Sequence, residues 1–216
     1  RKFASRYRTL SDLTSYSHTI TKGFCLVLSA PSGTGKTTIG QLLTARDRSV
    51  QKSISMTTRS KRPNEKHGED YYFTTPDDFK AKINQGSFLE WAEVYDGVLY
   101  GTPRGAVQEI IQSGNIALLV IDVHGGRAVK AIFPEAVMVF LIPPSLDSLS
   151  RRLKRRGLES EEEMQERLNK AHSELRYLPA YDYGVENDDG KQQKTVDAIC
   201  GIIAAERRRI TRWEEQ

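Results

Sequence analysis

The sequence predicts an α/β fold built on a parallel β-sheet with helices on both faces. Residues 24–28, 116–121 and 137–142 form continuously apolar runs rather than alternating ones, the pattern of strands buried on both sides. Helical patterning fills much of the chain between them, as the crossovers of a parallel sheet require. The first run also leads straight into Ser29-Ala30-Pro31-Ser32-Gly33-Thr34-Gly35-Lys36-Thr37-Thr38, a glycine-rich loop that opens a helix. Ligands of parallel sheets bind at the carboxyl ends of strands, where this loop falls.

With 216 residues the chain suits one such core with inserted lobes and needs no covalent staples. After the first strand, residues 37–45 read as helix. Residues 53–58 form a short alternating stretch leading into Arg59-Ser60-Lys61-Arg62-Pro63, whose charge and proline argue for a surface loop. The turn-rich residues 64–70 precede Tyr71-Tyr72-Phe73, a β segment. Thr75 reads as the cap of a helix, with Pro76 in its first turn and Asp77 and Asp78 at its positive end. Residues 88–100 are aromatic and mixed and end at Gly101-Thr102-Pro103; residues 104–112 are helical. The run 116–121 closes on Asp122, and 137–142 is stopped by Pro143-Pro144. Residues 146–170 are charged and helical in pattern with Gly157 as a break, and a last helix over 196–213 places Ile199, Ile203 and Ile210 on the core.

The loop matches the phosphate-cradling spacing A-x-x-x-x-G-K-T, with Ala30 at the position usually held by a first glycine. Gly33 and Gly35 keep the backbone free to turn and approach a phosphate closely. Loop amides and the helix N-terminus would face the phosphates of a nucleoside triphosphate. Lys36 would neutralise the β- and γ-phosphates, and the Thr37 hydroxyl would join the shell of a Mg²⁺ ion. A bare glycine-rich turn that binds nothing is disfavoured, because strand, loop, Lys-Thr and helix occur in the order the mechanism needs.

The formal net charge of +4 lies wholly in residues 1–22, where Arg1, Lys2, Arg6, Arg8 and Lys22 face only Asp12. A nucleic-acid role would therefore rest on that segment, and none is expected of the rest. Residues 1–22 lack the apolar stretch of a secretory signal; their composition is shared by plain basic extensions and some transit peptides, and the plain extension is favoured. No apolar run is long enough to span a bilayer, and Cys25 and Cys200 read as small core residues of a reducing compartment. No membrane partner is expected, and the location implied is cytoplasmic. His18, His67, His124 and His172 are scattered, which gives neither a metal cluster nor a Ser-His-Asp site.

Other residues have two readings each. Asp122, at a strand end beside a phosphate loop, would hold Mg²⁺ through water or orient a nucleotide, or else simply cap a helix. Arg59 and Arg62, with Tyr71, converge on a second phosphate or form a solvated loop. Arg152 and Arg156 share a helical face before Gly157, and Arg167 follows Glu161-Glu162-Glu163; they serve a migrating phosphoryl group or are charged surface.

Ser32 to Thr38, Ser55 to Pro63, Gly68-Glu69-Asp70-Tyr71-Tyr72-Phe73, Phe88-Leu89-Glu90-Trp91-Ala92, Tyr100-Gly101-Thr102, Ile121-Asp122-Val123-His124-Gly125 and Asn187-Asp188-Asp189 occur together in order. This pattern resembles the guanylate kinase family over about residues 23–205. The resemblance implies a P-loop kinase core at 23–54, 105–149 and 169–216, a GMP-binding lobe at 55–104 and a lid at 150–168. It implies transfer of the γ-phosphoryl of ATP to GMP or dGMP, with Mg²⁺, by a monomer or homodimer. Ser55, Glu90 and Thr102 would read guanine, and Arg59, Arg62, Tyr71 and Tyr100 would hold the GMP phosphate, with Asp122 nearby. Ala30, Pro31, Ser32, Gly33, Thr34, Gly35, Lys36, Thr37 and Thr38 would cradle ATP, with Asn187 and Asp188 on the adenine side. Lys36, Arg152, Arg156 and Arg167 would act on the transferred group. Val120 stands where the family often has an acid.

Two rivals share the fold: a non-catalytic phosphopeptide-binding module, and a kinase for another small phosphate acceptor. An intact Gly35-Lys36-Thr37 loop argues against the first, and Glu90 with Thr102 against the second, since a sugar phosphate offers no base to read.

Overall fold

In a computed structural model, residues 20–95, 97–154 and 161–214 are described. Five parallel strands make the central sheet: β2 (Phe24–Ser29), β3 (Val50–Lys52), β8 (Ile116–Val120), β9 (Val137–Ile142) and β10 (Tyr183–Glu186), in the order β10-β9-β2-β8-β3. β1 (Ile20–Thr21) pairs antiparallel with β11 (Trp213–Glu214), tying the entry of the chain to its exit. The continuous apolar runs are explained by burial on two sides. Along β2, Leu26 and Leu28 face α1 (Lys36–Arg46) and α7 (Gln192–Glu206) through Ile39, Leu43, Val196, Ile199 and Ile203. The alternate residues Cys25 and Val27 face α3 (Arg104–Gln112) and α4 (Val123–Ile132) through Val107 and Val129.

Residues 56–103 hold a second sheet of order β5-β4-β7-β6: β4 (Met56–Thr57), β5 (Tyr72–Phe73), β6 (Phe88–Tyr95) and β7 (Val98–Pro103). The mixed stretch 88–100 is thus two antiparallel strands joined through Gly97, whose φ of 77° suits a tight turn. This sheet packs Phe88 and Leu99 on Phe79 of α2 (Pro76–Asn84), with the Phe79 and Phe88 rings stacked 4.5 Å apart. Thr75 caps α2 as expected, accepting from the Asp78 amide. α5 (Leu146–Lys154) and α6 (Glu161–Leu175) lie on either side of residues 155–160 and meet through Leu149, Leu168 and Ala171.

The structure adds elements that the sequence did not announce and moves one core residue. β1, β3, β10 and α4 form where no element is expected. α7 stops at Glu206, and a 3₁₀ turn over Ile210–Arg212 leaves Ile210 59% exposed rather than on the core. The core position is taken instead by Arg212, whose guanidinium lies 4.3 Å from the Phe24 ring and pairs with buried Glu206. Val120, in place of an acid, packs over Gly40 of α1, where any Cβ would come within 2.9 Å of it.

Candidate active site

The carboxyl ends of β2, β8, β9 and β10 open on one edge of the sheet, and the loop after β2 occupies its middle. Gly33 and Gly35 adopt φ of 84° and 97°, the left-handed region that only glycine enters at low cost. The Thr34 amide closes the turn on the Pro31 carbonyl at 3.1 Å, and Lys36 Nζ folds back onto the Ala30 carbonyl at 2.5 Å. Ala30 and Pro31 are buried beneath the loop, whereas Thr37 and Thr38 are exposed in the first turn of α1. That helix begins without a side-chain cap, so its first amides are left for a ligand. Burial lowers the Lys36 pKa; the charges of Glu174 and then Asp122 oppose that shift.

A clamp holds the far side of the loop. The Thr34 carbonyl accepts from Asn187 Nδ2 at 2.7 Å and Arg152 Nη1 at 3.2 Å. Arg152 also donates to the Asn187 carbonyl at 2.7 Å and to Asp189 at 2.9 Å. Asn187 is buried at the end of β10, its amide bonded to the Ile142 carbonyl, while Asp188 pairs with Lys191 at 2.7 Å. Its neighbour Gly35 has no room for a side chain, since a Cβ would sit 3.0 Å from Asn187 Nδ2. The near side is held by Glu174 of α6, 4% exposed, which accepts from the Ser32 amide at 3.1 Å. Arg167 lies two turns earlier on α6; Arg156 lies outside the described residues.

The second sheet brings two further groups to the same mouth. On β6, Glu90 points inward and Trp91 outward, 49% exposed, as the two-residue period of a strand dictates. Glu90 Oε1 accepts from the Thr102 hydroxyl on β7 at 2.5 Å. Burial pushes the Glu90 pKa up, the Thr102 hydrogen bond opposes it, and the charge of Asp122 adds to the rise. Asp122 caps α4 by accepting from the Gly125 amide at 2.9 Å, so the plain capping role exists alongside its place in the site. A Cβ on Gly125 would fall 3.1 Å from Glu90 Oε2, so glycine there lets the carboxylate lie against α4.

Arg59 Nε donates to the Tyr100 hydroxyl at 3.1 Å, and its guanidinium lies 5.5 Å from the Tyr71 ring. The fork of Arg59 meets both oxygens of Glu65 at 2.7 and 3.0 Å. Those hydrogen bonds, then the Arg62 amide, bring the Glu65 pKa down to about 2, and the same contact raises that of Arg59. Glu65 was not marked by the sequence, where it is one acid in a mixed-charge loop. Glu174 is equally inconspicuous among the charges of α6.

A cavity of about 250 Å³ lies between the start of α1 and the loop that carries Arg62 and Glu65: Thr37 and Gly40 of α1 and Val120 line one side, and Ser55, Arg62, Glu65 and Tyr71 the other. A larger cavity, about 680 Å³, lies at the opposite ends of the strands, bounded by Phe24, Ile111, Phe133 and Arg212, away from the phosphate loop.

The sequence model of the family described as guanylate kinase matches residues 22–205. A guanylate kinase of Caldanaerobacter subterraneus subsp. tengcongensis is 44% identical over 191 residues, covering 88% of this chain and 91% of that protein. One of Desulfitobacterium hafniense is 45% identical over 190 residues, covering 88% and 94%. The crystal structure of guanylate kinase from Anaplasma phagocytophilum superposes with a TM-score of 0.74 at 35% identity, covering 90% of this chain and 92% of that one.

Proposed function

The chain belongs to the guanylate kinase family, and on that premise we propose how its own residues carry out the reaction. The protein is an ATP:GMP phosphotransferase, giving ADP and GDP. The cavity shared by Thr37 of α1 and by Ser55, Arg62 and Tyr71, which flank β4 and β5, carries the detailed reading, because one space then receives both phosphates.

ATP lies along the 30–38 loop, its phosphates on the amides at the start of α1 and on Lys36. Arg152 and Asn187 hold the Thr34 carbonyl and so the shape of that cradle; Asp188 flanks the adenine side. GMP lies against the second sheet. Arg59, Arg62, Tyr71 and Tyr100 receive its phosphate, while Glu90, Thr102 and Ser55 meet guanine. The ionised Glu90 accepts from guanine N1–H and the exocyclic amine, two donors that adenine does not offer together. The residue sets fit one division of the chain: an extension at 1–22, the core at 23–54, 105–149 and 169–216, a GMP lobe at 55–104 and a lid at 150–168.

Among the described residues no cluster of three or more His, Cys, Asp or Glu side chains could hold a metal. Mg²⁺ still fits, because a nucleotide-borne Mg²⁺ takes only one or two protein oxygens. Thr37 would supply a hydroxyl, and Asp122 a carboxylate acting through water. When bound, the ion offsets charge on the phosphate oxygens. Lys36 and Arg167 offset the rest, with Arg156 from beyond the described residues, so two anions can approach in line without a covalent intermediate.

Initial rates with Mg-ATP and each of GMP, dGMP, AMP, CMP and UMP test this reading. Turnover is expected with GMP and dGMP alone; comparable turnover of AMP or a pyrimidine nucleotide defeats the assignment of Glu90 and Thr102.

A further inference from the structure

We propose that Glu174 is a positioning residue that pins the front of the phosphate loop to the helix bearing Arg167, through the hydrogen bond it accepts from the Ser32 amide. The inference rests on ATP occupying the Lys36 loop and adds to that reading a residue that touches no substrate.

A carboxylate is almost never fully buried without a partner that repays its lost hydration. Glu174 is 4% exposed, and its partner is a loop amide 142 residues away in sequence, at 3.1 Å. Its sign is the wrong one for a place beside bound phosphates, where a second anion repels the substrate. Burying this charge is therefore accounted for by what it orders. Gly33 and Gly35 have positive φ and little intrinsic restraint, so hydrogen bonds from outside must hold the loop. Asn187 and Arg152 secure it at Thr34; Glu174 secures it at Ser32. Of the charges acting on the buried Lys36 ammonium, that of Glu174 acts most strongly.

The same helix carries Arg167 seven residues earlier, which is two turns, about 10 Å along the axis and on nearly the same face. Ala171, fully buried between them, lets α6 pack closely on Leu149 of α5. A shift of α6 against the loop therefore moves Arg167 relative to the ATP phosphates, and the Glu174–Ser32 contact sets that distance.

The test uses the full chain with E174A and E174Q, the second keeping an acceptor oxygen at the same reach. Initial rates give kcat and KM for Mg-ATP, and calorimetry gives the GMP dissociation constant. Wild-type turnover of Mg-ATP and GMP establishes the underlying reading independently of either variant. E174A is expected to lose about 10–100-fold in kcat/KM for Mg-ATP with GMP affinity within about twofold, and E174Q to recover most of that loss. Three results overturn the proposal: wild-type kcat/KM for Mg-ATP in E174A, an equal loss of GMP affinity, or E174Q no better than E174A. If E174A does not fold, the Ser32 amide proton decides. Its resonance moves upfield in E174Q as a charge-assisted bond becomes a neutral one, and an unmoved resonance overturns the proposal.

Discussion

Glu90→Gln probes how the site tells guanine from adenine. The side chain keeps its volume and its place on β6, and its carbonyl oxygen can still accept from Thr102, which now donates to Glu90 at 2.5 Å. What changes is the edge offered to the base. A carboxylate accepts from both guanine donors, each bond to a charged group contributing about 1.5–3 kcal/mol. The amide presents one acceptor and one donor, so one of the two bonds becomes a donor facing a donor. A loss of about 3 kcal/mol corresponds to roughly 150-fold in kcat/KM for GMP. For AMP the sign reverses, because adenine offers an acceptor and a donor that the amide can match. Coupled assays with GMP and AMP at fixed Mg-ATP should therefore show a preference that narrows by more than the loss on GMP. Glu90→Gln within about threefold of wild type on GMP, or with an unchanged GMP-to-AMP ratio, would rule out guanine recognition by this carboxylate. The pH dependence adds a signed check. Burial raises the Glu90 pKa, so kcat/KM for GMP falls as pH drops through that raised value and the carboxylate is protonated. Stability runs the other way. The folded state binds this proton more tightly than the unfolded chain, so the contribution is present at low pH and lost as pH rises through the folded value. Both trends should vanish in the Gln variant.

Lys36→Met should lower turnover by about 10³-fold or more, with the GMP dissociation constant unchanged by calorimetry; GDP production above about a tenth of wild type would remove Lys36 from its role. Arg59→Lys cannot keep both the bond to Tyr100 and the two-pronged contact with Glu65. Its KM for GMP should rise about tenfold by initial rates, and an unaltered KM would count against a phosphate role. Phe79→Ala removes a fully buried ring stacked on Phe88 and should cost about 3–5 kcal/mol in denaturant unfolding. A loss below about 1 kcal/mol would mean that the second sheet is not held by this cluster.

Much of the site was legible because its signals are local. The loop declares itself by spacing, and the strands at 24–29, 116–120 and 137–142 by unbroken apolar composition. The Thr75 cap followed from neighbouring residues alone. β10 and α4 were not legible. Tyr183-Gly184-Val185-Glu186 is too short and mixed to show a period, and Gly125-Gly126 lowers helix propensity where tertiary packing demands a helix. Helical patterning extended to residue 213, but the chain leaves the helix at Glu206, and Arg212 reaches the core by pairing with that glutamate. Glu65 and Glu174 each sit among other charges, and nothing within a few residues marks either as the one that turns inward.

Residue types at short, regular intervals were enough to reveal three strands of the central sheet, the phosphate loop and the resemblance to a family. Folding in three dimensions was needed to turn Glu90 in and Trp91 out, to set Arg152 on Thr34 and Asn187, and to bring Glu174 to Ser32. These outcomes join residues up to 142 positions apart. Their physical basis is the pairing of charged side chains with loop amides, carbonyls and hydroxyls, and such pairing depends on which groups the fold brings within hydrogen-bonding distance.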